Sequence, residues 1–132
     1  MREPLAVVAP PALQRPVGYS HGIRGSGELL FVAGQTGSTR DGALIGDEFV
    51  AQFAQALENV LEVVAAAGGR PEQIARLTVY VTSREEYTAA REALGHAWRM
   101  RMGRHYPAMT LVVVKGLLDE RAKVEIEATA LL

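Results

Sequence analysis

Hydrophobic positions recur along this chain with two different periods, and the switches between them outline its elements. Phe49, Phe53, Leu57, Val60 and Val64 follow one another at steps of three and four, the stripe of an amphipathic helix. That helix is expected from about Glu48 to Ala67, with Asp47 as its N-cap and Gly68-Gly69 as its end. Pro71 then opens a single helical turn. Leu77, Val79 and Val81 alternate with Thr78, Tyr80 and Thr82, the pattern of a half-buried strand. Ser83 and Glu86 form a capping-box pair that opens a second helix to about Met102, with Tyr87, Ala90, Leu94 and Ala97 or Trp98 on its inner stripe. Gly95 weakens that helix by up to ~1 kcal/mol relative to Ala.

Two further strands follow. Leu111 to Val114 is apolar at every position, whereas from Val124 to Ala130 the apolar Val124, Ile126, Ala128 and Ala130 alternate with Glu125, Glu127 and Thr129. Near the start, Glu28 to Ala33 is an apolar run of strand length. The segment Gly18 to Arg24 precedes it across a Gly25-Ser26-Gly27 turn, and the two are expected to form a hairpin. Asp41-Gly42 signals another short turn. Residues 1–16 carry Pro4, Pro10, Pro11 and Pro16 and read as an extended leader.

The resulting order, β-β-(β)-α-β-α-β-β, predicts a single two-layer α+β domain over residues 1–132, with both helices on one face of the sheet. The run Leu111 to Val114 wants burial on both faces. Helices cover only one face, so an oligomer is expected.

Composition narrows the function. The 132 residues include no cysteine, which removes disulfides and cysteine nucleophiles. Basic and acidic residues number 14 and 15, for a net charge of −1, against a nucleic-acid partner held through phosphates. No apolar run approaches the ~20 residues that span a bilayer, and Met1-Arg2-Glu3-Pro4 lacks the order of a signal peptide, so a cytoplasmic protein without a membrane partner is expected. His21, His96 and His105 have no metal-ligand spacing, and no metal site is expected. Arg99, Arg101 and Arg104 near a helix C-terminus complement its dipole and read first as a solvated face, with an anion or nucleic-acid contact as the alternative. Glu125 and Glu127, two apart on one strand, share a face and can orient a water and move protons, or simply form ion pairs. Tyr19-Ser20-His21 offers hydroxyls and an imidazole beside a turn.

Five segments together resemble one known family. They are Gly18-Tyr19-Ser20-His21, Leu30-Phe31-Val32-Ala33-Gly34-Gln35, Gln55-Ala56-Leu57-Glu58-Asn59-Val60, Pro107-Ala108 and Val124-Glu125-Ile126-Glu127-Ala128. In this order and at this spacing they resemble the RidA/YjgF family of imine and enamine deaminases, formerly labelled endoribonuclease L-PSP, over about Pro16 to Leu132. The resemblance implies a chorismate-mutase-like fold with a mixed sheet, a homotrimer, and small-molecule clefts between subunits. It implies no metal or organic cofactor. It assigns the water-positioning glutamate to Glu125, a cleft tyrosine to Tyr19, and ligand-contacting backbone to Ala33 and Gly34, with Ala33 where Ser is usual.

One departure stands out. The family's Pro-Ala-Arg motif, whose arginine clamps a substrate carboxylate, reads Pro107-Ala108-Met109 here. Methionine has no donor and no charge. Alignment puts Arg91 at, or within a turn of, a cleft position on the second helix, where it is the candidate substitute; Lys115 and Arg24 are weaker ones. Met109 and Thr110 are expected to shape a less polar pocket. The expectation is hydrolysis of an imine or enamine other than a simple 2-imino acid, with a non-catalytic metabolite-binding trimer as the alternative. A ribonuclease is disfavoured by the charge balance and the scattered histidines.

Overall fold

The computed structural model describes residues 5–132. The first four residues of the expected leader, Met1 to Pro4, lie outside the described residues. A four-stranded mixed sheet carries the fold. Its strands are β3 (Leu29–Gln35), β4 (Ile74–Val81), β5 (Ala108–Val113) and β6 (Val124–Leu131), in the order β3-β6-β4-β5. The pairs β3/β6 and β6/β4 are antiparallel, and β4/β5 is parallel.

The central strands behave as their alternation predicts. Val124, Ile126, Ala128 and Ala130 of β6 and Leu77, Val79 and Val81 of β4 are buried. They pack under α1 (Phe49–Ala66) and α3 (Arg91–Met102), whose Phe53, Leu57, Val60, Val64, Leu94 and Trp98 complete the same core. Among the described residues, the opposite sheet face carries no covering layer. Phe31 there is 73% exposed.

Several local expectations are corrected. The leader is not merely extended: Ala6–Val8 forms β1 and pairs antiparallel with β2 (Gly22–Arg24) in a separate two-stranded sheet. The expected hairpin of β2 with β3 therefore does not form; β3 takes β6 as its partner. The reason is non-local, since β6 offers a full-length alternating strand and β2 has only three residues. The Asp41-Gly42 turn does form, closed by the Thr39 N–H to Ala43 O bond of 2.8 Å. It supports only an isolated bridge between Ser38 and Leu44.

Asp47 does not cap α1. Glu48 occupies that position without a side-chain cap bond, and Asp47 instead pairs with Arg121 at 3.1 Å across the surface. The helix end is as expected. Gly68 takes φ 85°, and the N–H groups of Gly68 and Gly69 bond to Ala65 O and Val64 O, satisfying carbonyls that would otherwise be orphaned. The second helix is two. Ser83 accepts from the Glu86 N–H at 3.1 Å and starts α2 (Arg84–Ala89), but Ala90 leaves helical geometry and α3 begins after it. Glu86 does not close the capping box; its carboxylate pairs with Lys123 at 3.2 Å.

Strand β5 lies at the sheet edge, so its apolar run is not covered on both sides in one chain. Val112 and Val113 are 38% and 44% exposed.

Two side chains on α1 tie the loops to the sheet. Gln52, fully buried, donates to Gly46 O (2.8 Å) and Arg121 O (3.2 Å) and accepts from the Lys123 N–H (2.8 Å). Asn59 donates to Thr36 O and Ser38 O at 3.1 and 2.8 Å. Together they hold residues 36–46 beside the end of β3.

Candidate functional site

The two glutamates of β6 stand on the uncovered sheet face, and the structure gives them different surroundings. Glu127 accepts a hydrogen bond from the Tyr80 hydroxyl. That bond is the chief reason the Tyr80 phenol ionises above its ordinary value; desolvation and the charges of Glu127 and Glu125 add to it, and Arg76 opposes it. Glu125 is half-buried, and among the described residues no hydrogen bond engages its carboxylate.

What Glu125 does touch is a break in the neighbouring strand. The β3/β6 register shifts between Val32 and Gln35, so that Ala33 and Gly34 form a bulge. Gly34 lies against the Glu125 side chain so closely that a Cβ there would stand 3.0 Å from Glu125 Cδ. Glycine lets the carboxyl group rest across the bulge. Arg76, Thr78, Thr110 and Thr129 line a shallow depression of about 450 Å³ on the same face, with Tyr80 and Glu127.

A second cleft of about 440 Å³ opens on the other side of the sheet, between α2, α3 and the edge strand β5. Met109 and Leu111 of β5 form part of its floor, and Leu94 and Trp98 of α3 its wall. The Trp98 ring stacks on Tyr106 with centroids 6.0 Å apart and planes within 7°. The Trp98 indole N–H donates to His105 O at 3.2 Å, and the His105 ring bonds to Ile74 O at 2.7 Å, which fixes the wall to the core. Arg91, Gly95 and Arg99 also line it.

The entry side is supplied by the segment before β2. Val17 and Gly18 line the cleft. Ser20 holds this segment in place: its hydroxyl donates to Tyr106 O at 2.5 Å and its N–H to Pro107 O at 3.1 Å. Tyr19 is half-buried, with its ring edge-on to His21 at 5.4 Å, and His21 in turn bonds to Gln14 O at 2.6 Å. Ser20 and His21 thus have structural work.

Known proteins share this fold. The family profile described as Endoribonuclease L-PSP matches residues 10–132. A RutC family protein of Pyrococcus horikoshii is 30% identical over 118 residues, covering 88% of this chain and 89% of its own. The chain belongs to the RidA/YjgF family. Among solved structures, YyfB of Yersinia pestis, a Rid-family protein of unknown function, superposes with a TM-score of 0.86 at 32% identity, covering 98% of this chain and all of its own. E. coli TdcF, solved with bound serine, gives a TM-score of 0.70 at 28% identity, covering 94% and 93%.

Within this RidA/YjgF chain the expected site residues fall into two groups. Glu125, Ala33 and Gly34 come together on the uncovered face. Met109 and Arg91 come together in the helix-side cleft. The strand pleat separates them: Met109 is paired with Leu77 and shares the covered face, whereas Glu125 is paired with Tyr80 and shares the open one. Thr110 does not join Met109, as a shared pocket would require. Paired with Thr78, it points to the open face. Lys115 lies in the loop after β5, beside Asp47 and Lys123, and Arg24 is exposed on β2; neither reaches the cleft.

Arg99 belongs to the cleft, while Arg101 pairs with Glu58 of α1 at 3.4 Å, so the basic cluster is divided. The sequence signal for this was the spacing Arg91-Gly95-Arg99, one helix face at steps of four. Among the described residues no group of three or more His, Asp or Glu could hold a metal ion, and no helix is long and apolar enough to cross a membrane.

Proposed function

We propose that this protein hydrolyses an imine or enamine, other than a simple 2-imino acid, in clefts completed between copies of a homotrimer. The observation that carries the reading is Glu125: a half-buried carboxylate, lying across a glycine bulge, with no hydrogen-bond partner among the described residues. The trimer is supported by the uncovered sheet face with its exposed Phe31 and by the exposed Val112 and Val113 on the edge strand. Glu125 and Met109 occupy opposite faces of one sheet, so a site that uses both takes them from two copies. The bound serine in E. coli TdcF supports a small-molecule ligand.

The chemistry is a balanced hydrolysis. Glu125 accepts a proton from water as the water oxygen bonds to the C=N carbon. The nitrogen gains a proton, the C–N bond of the resulting carbinolamine breaks, and the products are a carbonyl compound and ammonia. Each proton transfer needs a positioned carboxylate and no further cofactor. Tyr19, next to the cleft-lining Gly18, orients the substrate or relays a proton.

A non-catalytic binding trimer is the second reading, favoured by Met109, which puts a thioether where the family's motif carries a guanidinium. Ammonia release from freshly generated imines, with and without a carboxylate, separates the two. Turnover that disappears in Glu125→Ala supports the enzyme. No turnover on any imine, with ligand binding retained, supports the binder. Sedimentation equilibrium tests the trimer, and a monomer would sink the shared cleft.

A further inference from the structure

The helix-side cleft carries a charge imbalance that its apolar floor does not explain. Arg91 and Arg99 both line it, and among the described residues no aspartate or glutamate does. Neither guanidinium is engaged in a salt bridge among the described residues, whereas Arg101, between them and the helix end, is paired with Glu58. Gly95 lies between the two arginines on the same helix face. A Cβ there would stand 3.2 Å from Arg99 Nη1, so the Arg99 guanidinium folds back over the glycine. Its charge therefore sits about one helical turn closer to Arg91 than its own Cα does. The absent side chain of Gly95 leaves room for the Arg99 guanidinium against this stretch of wall. Below it are Met109, Leu111 and the stacked Trp98 and Tyr106.

Two cations facing one cleft without an acid repel each other and are relieved by an anion. Guanidinium suits this task, since its planar fork binds carboxylate or phosphate oxygens in pairs. The floor of the cleft, by contrast, offers apolar and aromatic surface and no cation.

We propose that the cleft takes a ligand with an apolar or aromatic body over Met109, Leu111 and Trp98 and an anionic group at its far end, held jointly by Arg91 and Arg99. This deepens the hydrolase reading and rests on it for the reacting group: the anion stands away from the C=N carbon, not next to it as in a 2-imino acid. Met109 then follows as a fit to the body of the ligand.

Trp98 is the chain's one tryptophan and forms the cleft wall, so its fluorescence reports occupancy directly. The experiment titrates the intact protein with 3-phenylpropionate and with 3-phenylpropanamide, the same body without the charge. The carboxylate is expected to bind at least about tenfold more tightly, in line with charge-assisted hydrogen bonds. Arg91→Ala and Arg99→Ala should each weaken the carboxylate about fivefold or more, and the double variant should bind acid and amide equally. Arg99→Gln, which keeps the length of the side chain, should behave as Arg99→Ala does. Equal binding of acid and amide by the wild type, preference retained in the double variant, or no saturable change with either compound overturns the proposal. Ammonia release is measured in parallel from the imines of 4-formylbenzoate and benzaldehyde. Failure of all turnover, with the carboxylate preference intact, sinks the hydrolase reading and supports the anion site. Turnover indifferent to the distal carboxylate and to both arginines does the reverse.

Discussion

Gly34 and Gly37 are three residues apart, and both are pressed by a neighbour, yet a methyl group should have opposite consequences at the two. At Gly34 an added Cβ would lie 3.0 Å from Glu125 Cδ and 3.1 Å from Cγ and Oε2. Those atoms belong to the end of a flexible side chain, which can move by a few tenths of an ångström. The Gly34 backbone is not in the left-handed region, so alanine is compatible with it. Alanine gains ~0.4–1 kcal/mol by restricting the unfolded chain. Pushing Glu125 off its preferred rotamer costs about the same, of order 0.5–1.5 kcal/mol. Gly34→Ala should therefore change stability by less than about 1 kcal/mol, or roughly 4 °C in Tm for a domain of this size.

At Gly37 the Cβ would stand 2.6 Å from Gln52 Cα and 2.7 Å from Gln52 O. Those are backbone atoms of α1 and cannot swing aside. Overpacking of this kind costs ~1–3 kcal/mol. Activity should order the other way. Misplacing a catalytic group by ~1 Å can lower a rate by about 10²-fold, so a shift of a few tenths should cost Gly34→Ala about tenfold in kcat. Urea unfolding and ammonia release, run on both variants, check the pair. Full turnover in Gly34→Ala would show that the Glu125 position is not critical. A stability loss equal to that of Gly37→Ala would show that Glu125 cannot yield.

Gln52→Ala leaves two carbonyls and one N–H without their buried partner and should cost about 2–4 kcal/mol in urea unfolding; a loss below ~1 kcal/mol would mean that water replaces the amide. The Tyr80 phenol should titrate above the usual ~10. Because its folded value is raised, its contribution to stability is complete below about pH 10 and is lost as pH climbs through the folded value. Phenolate absorbance should show this late tyrosine, and Glu127→Gln should bring it down; an unchanged titration curve would refute the assignment. Met109→Arg adds a third guanidinium to a cleft lined by two and by no acid among the described residues, and should lower Tm by a few degrees at low salt, consistent with like charges at ~1 kcal/mol. Added pyruvate should recover the loss. Equal stability without any anion would contradict the charge argument.

Periodicity made the layers legible because burial itself imposed it. The α1 stripe and the alternation in β4 and β6 record which side chains enter the core; the sequence located α1 and β6 to within a residue, while β4 begins three residues before the expected Leu77, at Ile74. What it missed depended on partners distant in the chain. Residues 22–24 pair with Ala6–Val8 and not with β3, although the local turn signal is the same in either case. Asp47 has the chemistry of a cap, but Arg121 draws it outward. Ala90 interrupts the second helix without any Pro or Gly to announce it.

The structure divides the residues named from the sequence between the two faces of the sheet, a division the sequence reading did not anticipate. Reading Met109 and Thr110 as one pocket overlooked the pleat, which sends neighbours on a strand to opposite faces. In the proposed trimer, that same pleat would take the two groups from different copies. Glu125 can hold water only on the face that the helices leave open, while an apolar ligand body can be sheltered only where α3 covers β5. A carboxylate in the helix-side cleft would neutralise Arg91 and Arg99, whereas the guanidinium that the open face does carry, Arg76, makes no salt bridge to Glu125 among the described residues. Keeping Glu125 and the two cations on opposite sides of the sheet leaves each without a salt bridge among the described residues, and on the proposed reading a second copy and a ligand would bring them together.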